Sequence, residues 1–128
     1  MVMARKVVIS IKNSLLSEGI ELELKNCENL VPCTNSCIKA ADICSVLKAD
    51  VFLAEVSAFE GEDLITRMDE VRNLKYLLPG CKSVLLVDDI AYPELAESVQ
   101  AAKATGAIDG FLFTTVTASY LKAYLASV

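Results

Sequence analysis

Apolar residues along the chain alternate between short continuous runs and longer segments with one apolar face. The short runs are rich in Val, Ile, Leu and Phe, and they predict β-strands that are buried on both faces. The longer segments repeat apolar residues every three or four positions, which predicts amphipathic helices. The predicted strands are residues 6–11, 29–33, 50–56, 83–87 and 107–113.

The predicted helices alternate with these strands and carry local start and stop signals. Glu62 and Asp63 suit the positive N-terminal end of the third helix. Pro93 suits the first turn of the fourth helix and Gly106 its end. The predicted helices are residues 14–28, 34–49, 62–78, 93–104 and 118–127. The apolar stripe of the third helix is predicted to be Leu64, Ile65, Met68, Val71 and Leu74.

Five strand–helix units predict an α/β fold with a doubly wound parallel sheet, because crossover helices cover both of its faces. The 128 residues suit one domain, and we expect a single domain over residues 1–128. Such sheets form their sites at the carboxyl ends of the strands. The candidate site is therefore built from residues 11–13, 55–56, 87–89 and 114–115. Its most unusual member is Glu55, an acid at the end of an apolar strand.

Composition narrows the possible functions. The net charge of −5 and the pI near 4.7 argue against direct binding of nucleic acid. No apolar stretch approaches the ~20 residues of a membrane span, and the start of the chain does not resemble a signal peptide, so we expect a cytoplasmic protein. The chain has no histidine, the usual acid–base group at neutral pH. We expect no enzymatic activity and no cofactor.

The chain contains five cysteines, four of them between residues 27 and 44. Their spacing lacks the paired C-x2-C pattern of zinc ribbons. Cys37 and Cys44 lie on a predicted apolar helix face, where cysteine packs as a small hydrophobe. Cys27, Cys33 and Cys81 leave two interpretations open, which are packing and a redox or metal-sensing role.

Three stretches carry a resemblance to a known family: "SLLSEGIELEL", "ADVFLAEV" and "GAIDGFLFTTV". Over nearly its whole length the chain resembles the receiver domain of bacterial response regulators, particularly of the LuxR/NarL type. The resemblance implies a flavodoxin-like (CheY-like) fold with strand order 2-1-3-4-5 and helices on both faces.

The chain departs from this family at the positions that carry its chemistry. The acidic pair that holds Mg²⁺ is matched by Ile11 and Lys12, and the phospho-accepting aspartate is matched by Glu55. The hydroxyl residue falls at Val87 or Asp88, and the lysine at Thr114. Phe59 matches the proline of the loop after the acceptor. The chain therefore resembles a degenerate receiver, or pseudo-receiver.

Glu55 has several possible roles. An ammonium group at Lys12 would repel Mg²⁺, and our hypothesis is that Lys12 pairs with Glu55 in place of the metal. Glu55 would then either mimic the phosphorylated state or be merely tolerated. Asp88 and Asp89 would either join Glu55 in a rearranged cation site, cap the next helix or be solvated.

Aromatic residues mark a candidate switch and interface on the fourth helix, fifth strand and fifth helix, the surface that receivers use for dimers and output. Phe111 matches the family's switch position, Tyr120 and Tyr124 lie on the predicted fifth helix, and Tyr92 directly precedes the fourth. The alternative is that about half of these aromatic residues belong to the core.

The leading functional prediction is a receiver-like module of two-component signal transduction and transcription regulation that works without phosphorylation. It would act through contacts with a protein partner or a second copy, and a longer native chain would add a C-terminal DNA-binding domain. The alternative is a redox, metal or small-molecule sensor that uses the strand-end crevice or the cysteines.

Overall fold

A computed structural model describes residues 5–12, 14–27, 30–34, 40–58 and 63–128. Strands and helices alternate along this part of the chain, as predicted. The strands are β1 (Arg5–Ser10), β2 (Leu30–Thr34), β3 (Val51–Val56), β4 (Lys82–Val87) and β5 (Gly110–Phe113). The helices are α1 (Ser14–Lys25), α2 (Ala40–Leu47), α3 (Leu64–Leu77), α4 (Pro93–Ala104) and α5 (Ala118–Ser127).

The five strands form one parallel sheet in the order β2-β1-β3-β4-β5. This order confirms the predicted flavodoxin-like fold with its helices around the sheet. The order reverses at β1, which pairs with both β2 and β3. The carboxyl ends of β1 and β3 therefore lie side by side at the switch point, where doubly wound sheets place their sites.

Side chains of the central strands alternate between two buried clusters, one on each face of the sheet. Val51 and Leu53 pack into the cluster that includes Leu24 of α1 and Leu125 of α5. Phe52 belongs to the opposite cluster, which contains the buried residues of α2, α3 and α4. This two-residue period decides which helices cover each strand residue.

Two predicted helix bounds are wrong, because α1 ends at Lys25 and not at residue 28, and Thr34 belongs to β2 and not to α2. Other helix ends coincide with predicted signals. Pro93 occupies the first turn of α4, and Gly106 follows the helix with a φ of 82°, in the left-handed region that glycine adopts without strain. Asp63 caps α3 by accepting a hydrogen bond from the Thr66 backbone N–H at 3.2 Å. Among the helices that the structure describes, none combines the length and the apolar character needed to cross a bilayer.

Strand β5 is shorter than predicted, because it begins at Gly110 rather than at Ala107. The residues before it are held by backbone hydrogen bonds, among them one from the Asp109 N–H to the Ser83 carbonyl oxygen at 3.0 Å, and also by side chains. Lys75 Nζ donates to the carbonyl oxygens of Gly106 and Ala107 at 3.1 and 3.0 Å. The Asp109 carboxylate accepts a hydrogen bond from the backbone N–H of Ser83 at 2.8 Å. A side chain therefore pairs with a backbone N–H group near the start of β4.

The buried stripe of α3 differs from the prediction at two positions. Val71 and Leu74 are buried as expected, but Ile65 is 77% exposed. Arg67, which was not predicted to be buried, is only 3% exposed. The apolar pattern was wrong here because a charged side chain with enough hydrogen-bond partners can occupy an interior position.

Candidate functional site

A cleft of about 590 Å³ opens at the carboxyl edge of the sheet, between α1 and α5. Its polar lining includes three of the predicted site residues, Glu55, Asp88 and Thr114. The rest of the lining is largely aliphatic and includes Leu16, Leu86 and Leu121. The structure therefore brings the ends of β3, β4 and β5 together around one opening, which we call the strand-end cleft.

The strand register explains why Glu55 and Asp88 share this cleft. Glu55 pairs with Leu86 across the β3–β4 ladder, and Asp88 follows Leu86 by two residues. Because the side-chain period of a strand is two, all three side chains lie on the α1/α5 face of the sheet. Val87 lies on the opposite face, in the cluster covered by α2, α3 and α4. Of the two candidates for the hydroxyl position, Asp88 is the one at the cleft.

The carboxylate of Asp88 stabilises the turn that leads into α4. Its Oδ1 accepts the backbone N–H groups of Ile90 and Ala91 at 3.1 and 3.0 Å. The neighbouring Asp89 has a buried Oδ1 without a hydrogen-bond partner in the described part of the chain. Residues 5–12, 14–27, 30–34, 40–58 and 63–128 contain no group of three or more potential metal ligands. Glu55, Asp88 and Asp89 are thus not gathered as a rearranged cation site would require.

The residues after β1 occupy two different environments. Ile11 is half-buried and packs against the α1/α5 cluster, whereas Lys12 is exposed. At the end of β5, the Thr114 backbone N–H donates to the Val87 carbonyl at 3.0 Å and continues the ladder to the cleft. Phe59, matched to the loop proline, lies outside the described residues.

Arg67 is the residue at this edge of the sheet that the sequence analysis missed. Its Nε donates to the Glu55 carbonyl oxygen at 2.8 Å. Its Nη2 donates to the Ser10 carbonyl oxygen and its Nη1 to the Ser10 hydroxyl, both at 2.9 Å. Nη1 also lies 3.2 Å from Oε1 of Glu70. One buried guanidinium therefore ties the carboxyl ends of β1 and β3 to α3.

A signal for Arg67 is present in the sequence. Leu64, Val71 and Leu74 are spaced so that position 67 falls on the same helix face. A charged residue within such a stripe predicts either a break in the helix or a buried cation with specific partners. The pattern does not identify the partners, because Ser10 and Glu55 are 57 and 12 residues away along the chain.

The side chains at the ends of β1 and β3 do not fit a Mg²⁺ ion. This ion prefers carboxylate and other hard oxygen ligands. The two positions matched to the family's acidic pair hold an alkyl group, Ile11, and a cation, Lys12. The guanidinium of Arg67 adds a fixed positive charge against the backbone of both strands. Among the described residues at the ends of β1 and β3, Glu55 supplies the one carboxylate, and Asp88 at the end of β4 uses its Oδ1 to accept the backbone N–H groups of Ile90 and Ala91.

The predicted aromatic interface residues lie around β5, the edge strand of the sheet. Phe111 is half-buried on the α4 face, with its ring centroid 5.6 Å from that of Phe113. Tyr120 and Tyr124 lie on α5 with ring centroids 6.2 Å apart, and Tyr120 is 55% exposed. Tyr92 is half-buried at the N-cap of α4. The four aromatic residues thus belong partly to the core and partly to the surface.

Tyr124 packs directly over the backbone of Gly110. A Cβ atom at Gly110 would overlap the Tyr124 hydroxyl and lie 2.9 Å from its Cζ, so only glycine leaves room for the ring. Burial raises the pKa of Tyr124 above its ordinary value of 10.0. A hydrogen bond with the Phe111 backbone partly offsets this rise, while the nearby charges of Tyr120 and Asp109 add to it.

Three cysteine side chains are described, and all three are free thiols. Cys44 and Cys81 are buried in the cluster beneath α2, α3 and α4, as small hydrophobes would be. Cys27 is half-buried against the α1/α5 cluster. The side chains of Cys33 and Cys37 lie outside the described residues, so the redox or metal-sensing interpretation for Cys27 and Cys33 stays a prediction.

Comparisons with known proteins rest on structure alone. The sequence matches no protein-family model and no curated protein. Its fold is similar to the signal receiver domain of the response regulator NarL from Mycobacterium tuberculosis, with 20% identity, a TM-score of 0.68, and coverage of 96% of this chain and 94% of that one.

Two further solved structures widen the comparison. RcsB from Salmonella enterica serovar Typhimurium, bound to promoter rprA in the presence of phosphomimetic BeF3⁻, matches with 18% identity and a TM-score of 0.67 over 96% of this chain and 67% of that one. An adenylate cyclase from Rhodopirellula baltica matches with 13% identity and a TM-score of 0.70, over 96% and 85%. At these identities the similarity establishes the receiver-type fold alone. Any chemical activity has to be inferred from the residues at the site.

Proposed function

We propose that this chain is a receiver-like signalling domain that works without phosphoryl transfer and acts through protein contacts. The fold supports the signalling class, since response regulators are among its structural neighbours. The residues at the strand-end cleft support the proposal that the domain does not carry out phosphoryl transfer. Phosphoryl transfer depends on a cation that gathers charge on the phosphate oxygens, and Ile11 and Lys12 stand at the two positions that match the family's acidic ligands.

The observation that carries the proposal is the buried cation Arg67 at the ends of β1 and β3, together with Ile11 and Lys12 where the family's acidic pair would stand. Arg67 holds the backbone at the ends of β1 and β3, the two strands that flank the switch point. Lys12 lies two residues after the end of β1, and we propose that it pairs with Glu55. A domain held in this way has one arrangement at its strand ends and does not need a phosphoryl group to select it.

The contacts of the domain are proposed to involve the surface formed by α4, β5 and α5, with a protein partner or a second copy. Tyr120 is 55% exposed there, and Ile90, in the turn before α4, is 77% exposed. Exposed aromatic and aliphatic side chains of this kind are frequent anchors at protein interfaces. In a longer native chain, a C-terminal DNA-binding domain would place this surface in transcription regulation.

Intact-mass spectrometry after incubation with acetyl phosphate and Mg²⁺ tests whether the chain accepts a phosphoryl group. The expected result is an unmodified chain, because Glu55 lacks the cation that would position the phosphoryl group. Glu55→Gln is the matched control, since any modification that persists in this variant comes from another residue. A saturable, Mg²⁺-dependent phosphoryl adduct that disappears in Glu55→Gln would overturn the proposal.

Sedimentation velocity with two charge variants tests the contact surface. Tyr120→Glu lies on α5 and Tyr76→Glu on the exposed face of α3, where Tyr76 is 87% exposed. We expect Tyr120→Glu to weaken self-association or partner binding, whereas Tyr76→Glu leaves it unchanged. Equal effects of the two substitutions would contradict the assignment of the surface.

A further inference from the structure

A glycine keeps the α1 wall of the strand-end cleft open. Gly19 lies inside α1 and lines the cleft. A Cβ atom built on Gly19 meets no atom within 4 Å, and its φ is not in the left-handed region, so neither the packing nor the backbone requires glycine here. Glycine inside a helix is less favourable than alanine. The residue therefore weakens the helix and leaves space beside the cleft.

The walls of the cleft are aliphatic on both sides. Leu15 and Ile20 line it from α1, and Val116 and Leu121 line it from α5 and the turn before that helix. Leu15 is largely exposed, so a ligand here would cover apolar surface that solvent now contacts. The volume of about 590 Å³ lies within the range of ligand pockets, which is ~300–1,000 Å³. The cleft thus has the size and the apolar lining for a small organic molecule.

The acidic side chains of the cleft already have partners within the fold. Asp88 Oδ1 accepts two backbone N–H groups of the turn before α4. Glu23 lies 3.5 Å from Nζ of Lys122. Glu55 also takes part in an interaction of its own. Because each carboxylate serves a partner in the protein, these residues do not select a cationic ligand.

The other polar side chains of the cleft carry no charge. Thr114 and Thr117 are neutral, and Thr117 Oγ1 accepts the Tyr120 backbone N–H at the start of α5. No lysine or arginine is among the described residues that line the cleft. An anionic ligand would lie near Glu55 and Asp88 without a cation to pair with. A cationic ligand would lose water beside carboxylates that serve other partners. Desolvating an unpaired charge is costly, so a neutral molecule is favoured.

We propose that the strand-end cleft binds a small neutral molecule, with an aromatic or branched aliphatic body and no ionised group. The body lies against the aliphatic side chains of α1 and α5, over Gly19. Charged molecules of the same shape bind more weakly, because the cleft has no unused partner for their charge. This binding site goes beyond the signalling role proposed above, and it does not depend on whether the domain accepts a phosphoryl group.

Nuclear magnetic resonance titrations of the full chain with three probes test the charge of the ligand. The probes are 3-phenylpropanol, 3-phenylpropylamine and 3-phenylpropionate, which share an aromatic body and differ in charge. We expect the alcohol to shift the backbone amides of Gly19, Val116 and Ala118, and both charged probes to bind about tenfold more weakly. The proposal is overturned if the alcohol leaves these amides unshifted, or if either charged probe binds as tightly as the alcohol.

The length of the alcohol tests whether the aliphatic walls hold the ligand. From 2-phenylethanol to 3-phenylpropanol, the affinity is expected to rise about fourfold, which corresponds to one buried methylene group. Equal affinities of the two alcohols would show that burial of apolar surface does not drive binding, and would contradict the proposal.

Variants on α1 locate the binding site. Leu15 lines the cleft and is 82% exposed, whereas Leu22, two turns further along the helix, is 62% exposed and is not among the lining residues. We expect Leu15→Ala to lower the affinity for 3-phenylpropanol by about fivefold and Leu22→Ala to leave it unchanged. Gly19→Leu fills the opening and is expected to lower it by about tenfold or more.

Thermal unfolding of each variant verifies that the fold is retained. Both leucines are exposed, so their truncation provides a test even if Gly19→Leu disturbs the helix. Equal losses of affinity in Leu15→Ala and Leu22→Ala would place the ligand outside the cleft. Unchanged binding in a folded Gly19→Leu variant would do the same.

Discussion

The guanidinium of Arg67, on α3, donates to the backbone carbonyl oxygen of Glu55 at 2.8 Å, at the carboxyl end of β3. The same side chain holds the backbone and the hydroxyl of Ser10 at the end of β1. A buried charge is tolerated when its donors are paired, and the planar guanidinium reaches several acceptors at once. Arg67 therefore links α3 to the ends of β1 and β3, at the switch point of the sheet.

Replacing Arg67 by methionine is expected to destabilise the domain by about 3 kcal/mol, because the substitution leaves buried acceptors on Ser10 and Glu55 unpaired. Chemical denaturation of the variant measures the loss. Arg72→Met is the matched control, since Arg72 is 75% exposed and its ion pair with Asp69 spans 3.2 Å on the surface. That control is expected to change the stability by less than about 0.5 kcal/mol. Similar losses in the two variants would contradict a special role for Arg67.

Gly110→Ala is expected to destabilise the domain by about 2 kcal/mol, because its Cβ overlaps the Tyr124 side chain and forces the ring or the strand to move. Gly19→Ala is the opposite case, since its Cβ has open space and a helix prefers alanine. We expect Gly19→Ala to raise the stability by about 0.5–1 kcal/mol. Thermal unfolding of both variants measures whether Gly110→Ala lowers the stability and Gly19→Ala raises it.

Combining Gly110→Ala with Tyr124→Ala tests the source of the clash. The double variant is expected to lose less stability than the sum of the two single variants, because the small side chain at position 124 makes room for the new methyl group. Strict additivity would place the cost of Gly110→Ala in the strand backbone and not in the contact with Tyr124.

Stability at alkaline pH is expected to depend on Tyr124. Its pKa is raised in the folded state, chiefly by burial, so the fold favours the neutral phenol. This contribution is fully present below pH ~10, the pKa of an unfolded tyrosine, and is lost as the pH rises through the folded pKa. Denaturation between pH 8 and pH 11.5 is expected to show a smaller alkaline loss for Tyr124→Phe than for Tyr120→Phe. An equal loss in both variants would contradict the assignment.

The proposed pairing of Lys12 with Glu55 can be measured as a coupling energy. A double-mutant cycle with Lys12→Met and Glu55→Gln is expected to give about 0.5–1 kcal/mol, the range of a pair with one exposed partner. Lys82→Met is the control, because Lys82 is exposed at the opposite end of β4. If the coupling energy between Lys12 and Glu55 is no larger than that between Lys82 and Glu55, the proposed ion pair of Lys12 with Glu55 is wrong.

Much of the fold was predictable from the sequence, because its signals are local. Continuous apolar runs predicted the five strands, and Asp63, Pro93 and Gly106 predicted helix ends that the structure contains. The alternation of strands with helices predicted a parallel sheet, and the resemblance to receivers added its strand order. The predicted end of α1 was wrong, because the helical spacing extended to residue 28 whereas the helix ends at Lys25.

Part of the site was also predictable, since residues that end parallel strands must meet at one edge. Glu55, Asp88 and Thr114 were assigned to that edge, and all three line the cleft. The sequence left open whether Val87 or Asp88 matches the family's hydroxyl residue. The strand register was needed to decide which of the two faces the cleft, because adjacent residues on a strand face opposite sides of the sheet. No local pattern in the sequence specifies that register.

The sequence by itself determined the order of strands and helices and the presence of an alkyl and a cationic side chain, Ile11 and Lys12, after the first strand. Only the tertiary structure decided that Arg67 is buried at the switch point and that Gly19 opens a cleft between α1 and α5. The reason is physical. Periodicity reports the preference of a residue for water, whereas hydrogen bonds to Ser10 and Glu55 and the space beside Gly19 depend on segments that are distant in the chain.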